Sequence, residues 1–140
     1  MKAEVSWKEG VMFTGSVERG HEVIMEGPES YGGQDRGFRP MELILTGLGG
    51  CASFDVVTTL EKMREQVSDC VAKLTAERAD AVPAVFTKIH ITFEVTGSNL
   101  NAKKVERAVA LSAEKYCSAS IMLAAAGVDI THDVKIVEAS

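Results

Sequence analysis

Three cysteines, three histidines and no excess of basic charge leave several function classes without the residues they need. The cysteines (Cys51, Cys70, Cys117) are odd in number and widely spaced, unlike the dense, even sets of disulfide-scaffolded domains. His21, His90 and His132 are scattered singly and give no zinc motif. A net charge of −5 removes the electrostatic footing for nucleic acid as a main partner. The first ten residues, MKAEVSWKEG, hold no basic-then-apolar leader, so a cytoplasmic location is expected. The longest apolar run, Leu43 to Val57, is fifteen residues interrupted by three glycines, against the roughly 20 that a membrane span requires. No membrane partner is expected either.

What is present organises around Pro40–Arg64, which reads as one long helix carrying Cys51 near its middle. Pro40 suits a first helical turn, where its missing N–H costs nothing. Glu42 lies at the positive end of the helix dipole, and Lys62 and Arg64 at the negative end. Asp55 is the only charge between Leu43 and Val57, and a helix apolar all round is a buried one. Gly47, Gly49 and Gly50 each cost about 1 kcal/mol relative to alanine in a helix. Close approach of another backbone is the simplest offset; room for a substrate beside Cys51 is the functional one.

The rest of the chain alternates as strands or repeats as helix. Glu4–Lys8, a segment with Val11, Phe13 and Val17, and His21–Met25 form a three-stranded meander with turns at Glu9-Gly10 and Glu18–Gly20. Gly27 to Arg39 is a long polar, glycine-rich loop of the kind that is either disordered or functional. Asp69–Arg78 and Phe86–Val95 alternate as strands, the second with Ile89, Ile91, Phe93 and Val95 on one face. Asn101 caps a helix over Ala102–Tyr116, Ser118 caps a short helix through Ala126, and Asp129–Val137 is a last strand. The order βββ-α-ββ-αα-β in 140 residues implies a single α+β domain, helices against antiparallel sheet. One meander cannot bury the central helix on every side, so a homodimer is expected.

Three cysteines are candidates for chemistry. As residues alone, each reads first as a small buried hydrophobe. Cys51 sits mid-helix, where burial and Asp55 one turn later oppose ionisation; a reactive Cys51 needs a cation, and Arg36 and Arg39 are available. Cys117 precedes the Ser118 cap, so a helix N-terminus can lower its pKa. Cys70 starts a regular strand and reads as packing. His90 lies on the polar face of its strand, and His132, sharing a face with Ile130 and Val134, reads as a core histidine.

The segments PMELILTGLGGCASFDVV and LSAEKYCSASIMLAAAGVDITHDV, with LTAERAD and FTKIHITFEVTG between them, resemble the OsmC/Ohr family of osmotically induced and organic-hydroperoxide-resistance proteins, in its YhfA-like branch. The resemblance spans nearly the whole chain, and a helix cysteine after GG followed about 66 residues on by a YCS cysteine is specific. It implies an OsmC-like fold in which antiparallel sheets from two intertwined chains wrap two long central helices. It implies thiol-dependent reduction of a small apolar organic hydroperoxide, with Cys51 peroxidatic and Cys117 resolving. A dithiol reductant regenerates the pair, without metal or organic cofactor.

The resemblance also implies, from the family's peroxidatic members, an arginine that holds the thiolate and a glutamate, usually ten residues before the first cysteine, that orients that arginine. Here that position is Met41, and the carboxylate is Glu42, nine before. Nine residues is a half-integral number of turns, so Glu42 points away from Cys51 and lies about 13.5 Å along the helix axis; it can serve a partner chain. Carried over, the candidate site residues are Cys51, Cys117, Glu42 and Arg39, with Arg36 left open as the alternative arginine. The alternative function is a non-catalytic OsmC-like dimer binding a small apolar ligand at the subunit interface.

Overall fold

The computed structural model describes residues 1–140, which divide into two compact units, Met1–Ile44 and Leu45–Ser140. In the first, β1 (Ala3–Glu9), β2 (Met12–Val17) and β3 (Glu22–Glu26) form the expected antiparallel meander. Gly10 takes φ +51° at the first turn, and its carbonyl accepts the Trp7 indole N–H at 2.9 Å. The loop after β3 is fastened rather than loose. Phe38 donates to the Ile24 carbonyl and accepts from the Glu26 N–H, so the loop's end lies beside β3 as a short parallel bridge.

The long helix α1 runs unbroken from Pro40 to Lys62, through all three glycines. Its start carries one half of a capping box: the Glu42 carboxylate reaches back three residues to accept the Arg39 backbone N–H at 2.7 Å. Its end is two residues earlier than the sequence implies. Arg64 turns into the left-handed region (φ +62°), and the Arg64 and Glu65 N–H groups close on the Glu61 and Leu60 carbonyls as a Schellman motif.

Within the second unit α1 packs one stripe. Leu48, Ala52, Val56 and Leu60, four residues apart, are buried. Gly49 is the one of the three with a close neighbour, and it is a side chain rather than the backbone expected: a Cβ would stand 2.8 Å from Leu74 Cδ1, which would have to shift. A Cβ on Gly47 or Gly50 would meet nothing, and Phe54 is 68 % exposed. The expectation of a helix buried all round therefore does not hold in a single chain. Its most apolar stretch has mean hydropathy 1.5 and is only 28 % buried, enough by length and composition alone to cross a membrane.

The second sheet orders β4 (Gln66–Arg78), β5 (Phe86–Ser98) and β6 (Asp129–Glu138), with β5 central. Ile89, Ile91, Phe93 and Val95 form its buried face as the alternation predicts. The α+β class stands, with one pairing different from the antiparallel expectation: β5 and β6 run parallel. The reason lies in the connection. A crossover of a dozen or more residues, here α2 (Ala102–Leu111) and α3 (Ser118–Ala125), is what a parallel pair requires. Asn101 caps α2 as expected, accepting the Lys104 N–H at 3.1 Å. The helix does not continue to Tyr116 in α form; Ser112–Tyr116 widen into a π turn.

Candidate functional site

The π turn and α1 bring two distant cysteines together. The widened turn closes with the Cys117 N–H on the Ser112 carbonyl at 2.9 Å, a geometry often found at functional sites. Ser112 is buried, and its hydroxyl donates to the Ala52 carbonyl at 3.1 Å, tying the turn to α1 beside Cys51. The result is a triad: the sulfurs of Cys51 and Cys117 and a carboxylate oxygen of Asp55 all lie within 4.8 Å of one another. Asp55 joins because it follows Cys51 by four residues, on the same helix face. All three cysteines are free thiols.

The environments of the three groups differ. Cys51 is half-buried and Cys117 fully buried. The cap of α3 is Cys117 itself, not Ser118: its sulfur accepts the Ser120 N–H at 3.4 Å. That bond does not lower the thiol pKa overall, as a helix N-terminus was expected to do. Burial dominates, the hydrogen bond with Cys51 and the nearby Cys51 and Asp55 charges add to it, and the thiol is pushed up to about 11. Asp55 is raised above the usual carboxylate range, chiefly by burial, with the Ser112 hydroxyl opposing. Its Oδ2 is buried and has no hydrogen-bond partner. An unpartnered buried polar atom is uncommon and calls for a reason in the chemistry of its site.

Cys70 stays outside this group, half-buried on β4 opposite Val95, its thiol raised by burial and by Asp69. His132 is exposed, contrary to the core reading, because β6 is an edge strand; it still lines a small cavity with Ala52, Ser112 and Ser120. His90 keeps to the polar face, against Thr131 and Asp133.

The first unit holds the other predicted residues. Glu42 bonds the Arg39 backbone, and the Arg39 guanidinium makes only long contacts, 3.5 Å to the Glu26 carbonyl and 3.7 Å to Asp35. Arg36 is engaged on every nitrogen of its fork. Nε and Nη2 bind Glu26, and Nη1 binds Glu9 at 2.6 Å. Glu26 is completely buried, and the Arg36 bonds hold its carboxyl down at about 2. Glu26 was missed in the sequence, where a carboxylate ending a strand before a polar loop looks solvated.

The family model for OsmC-like proteins matches residues 32–133. The chain belongs to the OsmC-like family. Protein YhfA of Escherichia coli K12 is 46 % identical over 139 residues, covering 99 % of this chain and all of that one. A crystal structure of a hypothetical protein from Aquifex aeolicus is 29 % identical with TM-score 0.81, covering 96 % of both chains. The organic hydroperoxide resistance protein OhrB of Bacillus subtilis shares the fold at TM-score 0.63 and 17 % identity, covering 96 % of this chain and 98 % of that one. In this OsmC-like chain the two motif cysteines are thus neighbours in space.

Proposed function

We propose that this OsmC-like protein is a homodimeric, cytoplasmic, thiol-dependent reductase of small apolar organic hydroperoxides. The observation that carries the reading is the adjacency of the Cys51 and Cys117 sulfurs. Their unequal burial supports the order of events. Half-exposed Cys51 meets peroxide, and buried Cys117, whose thiol holds its proton, waits to resolve. The Cys51 sulfur attacks the terminal peroxide oxygen, the O–O bond breaks, the alcohol leaves with the proton, and a sulfenic acid remains. Cys117 condenses with it to a disulfide and water, and a dithiol returns both thiols.

A thiolate at Cys51 calls for a guanidinium, and Arg39 is the better candidate. The fork of Arg36 is saturated by Glu26 and Glu9, whereas that of Arg39 makes only long contacts. Glu42 then acts as a positioning residue, fixing Arg39 through its backbone N–H. The second copy is supported by what one chain leaves bare on α1, Phe54 and the open sides of Gly47 and Gly50.

The test is thiol titration before and after an organic hydroperoxide, with Cys51→Ser and Cys117→Ser alongside. Wild type is expected to lose two thiols per chain to a disulfide that a dithiol reverses, and Cys51→Ser to lose none by that route. A Cys51 that stays a thiol at millimolar peroxide overturns the reading. The second reading, a ligand-binding dimer, is favoured by one observation: an apolar cleft of about 310 Å³ on the meander, lined by Val5, Val17, Val23, Met25 and Leu43. Ligand binding unaffected by Cys51→Ser, with no thiol loss, would support it.

A further inference from the structure

The resolving step poses a problem that the peroxidase chemistry does not solve. Cys117 is buried as a thiol pushed up to about 11, yet it must be a nucleophile when it attacks the oxidised sulfur of Cys51. Something must take its proton, and the hydroxide leaving Cys51 must receive one.

Resting on that reading, we infer that Asp55 is the proton carrier of disulfide formation: its carboxylate takes the Cys117 thiol proton as Cys117 Sγ attacks Cys51 Sγ, and returns it to the departing hydroxide. The sulfur–sulfur bond forms, the sulfur–oxygen bond of the sulfenic acid breaks with its electron pair on oxygen, and water leaves. Cys117 is oxidised, the sulfenic sulfur is reduced, and Asp55 ends as it began.

Three features of the site support this. An oxygen of Asp55 lies within 4.8 Å of both sulfurs, so one carboxylate stands beside the donor and the leaving group, at a separation that a side-chain rotation or one bridging water closes. Its Oδ2 is buried with no partner, so it has a free lone pair inside the site. Burial raises its pKa, which makes it a stronger base than an ordinary aspartate and narrows the gap to the thiol. The groups facing it are few. Cys51 comes from α1 itself, the Ser112 hydroxyl from the π turn, and Cys117 from the start of α3. On β6 the titratable group at this end is His132, which shares a cavity with Ala52, Ser112 and Ser120. Ser112 is a poor alternative base, since a neutral hydroxyl holds an added proton far more weakly than a carboxylate does.

The experiment follows Cys117 activation in two ways, on metal-free reduced protein treated with EDTA. In the first, stopped-flow peroxide oxidation is read as sulfenic acid trapped by dimedone and as disulfide formed. In the second, Cys51 is converted to its mixed disulfide with thionitrobenzoate, and release of the yellow thiolate by Cys117 is timed; this arm needs no peroxide. Asp55→Asn is expected to slow both by about 100-fold at pH 7, the scale of general-base catalysis, with sulfenic acid accumulating in the first. Its rate should rise about tenfold per pH unit until the Cys117 thiol, still raised by burial, ionises by itself, so that the gap to wild type closes as pH climbs. Asp55→Glu should recover part of the rate, and His132→Asn should leave the profile in place.

Equal rates in Asp55→Asn and wild type, a loss of the same factor at every pH, or a profile that moves with His132→Asn instead, overturns the inference. If no sulfenic acid forms even in Cys117→Ser, the peroxidase reading fails by itself, and the thionitrobenzoate arm still decides the role of Asp55.

Discussion

Asp55→Asn should make the reduced protein more stable at neutral pH, although it removes a charged group from the middle of a core helix. Burial raises the folded-state carboxyl above its ordinary 3.8, so the folded chain binds the proton more tightly than the unfolded one. The sign follows from proton linkage: the favourable contribution of the protonated group is complete below 3.8 and is lost as pH rises through the raised value. Above that window an ionised oxygen stands buried without a donor. An unsatisfied buried polar atom costs about 1–3 kcal/mol. Asp55 is not fully enclosed and has the Ser112 hydroxyl nearby, so the lower end, about 1 kcal/mol, applies. Asparagine keeps the shape without the charge.

The assay is urea unfolding of both proteins under reducing conditions, at one protein concentration because association shifts apparent stability. The curves should coincide near pH 3.5 and separate by about 1 kcal/mol at pH 8, or about 3 °C in Tm for a chain of this size. A variant less stable than wild type by the same amount at every pH would refute the reasoning, since the carboxylate would then have partners that favour its charge.

Glu26→Gln should act in the opposite direction. A carboxyl held at about 2 by Arg36, against an ordinary 4.5, stabilises fully above 4.5 and loses that contribution as pH falls toward 2; the variant should start less stable at neutral pH and show a flatter acid-unfolding curve by near-UV circular dichroism. Leu48→Ala empties a fully buried position on α1 and should cost about 2–5 kcal/mol in denaturant unfolding. Phe54→Lys, on the bare side of α1, should shift sedimentation to the monomer with little loss of helical signal; an intact dimer would place the partner contact elsewhere.

Local chemistry was the legible part of the fold. Pro40 and the carboxylate at Glu42 announce a helix start, Asn101 announces another, and the strict alternation of Ile89, Ile91, Phe93 and Val95 announces a half-buried strand. Each signal works within a few residues, over the range that backbone sterics and capping bonds act. The features that escaped are tertiary. Nothing in Asp129–Glu138 says whether its neighbour runs parallel, because pairing is settled by where α2 and α3 return the chain. The same holds for His132: alternation put it beside Ile130 and Val134 but could not show that β6 is an edge. The apolar pattern of α1 marked its whole circumference for burial, whereas one chain buries a single stripe of it.

The site divides along the same line. Cys51 and Cys117 were paired through family resemblance, since no local rule joins residues so far apart in sequence. The device that joins them, the π turn at Ser112–Tyr116, has no compositional mark, and sulfur is too weak an acceptor for Cys117 to be expected as a cap in place of Ser118. Asp55 was visible as a charge near a cysteine and was read as an obstacle to ionisation. With Oδ2 unpaired and both sulfurs in reach, the obstacle has a use. A group that destabilises the resting fold at neutral pH persists most simply where the reaction needs a base. The stability measurement on Asp55→Asn and the kinetic one on disulfide formation therefore bear on one question. A variant that gains stability and loses resolution has traded function for fold; one that gains stability at no kinetic cost would leave the buried carboxylate without a purpose in this chemistry.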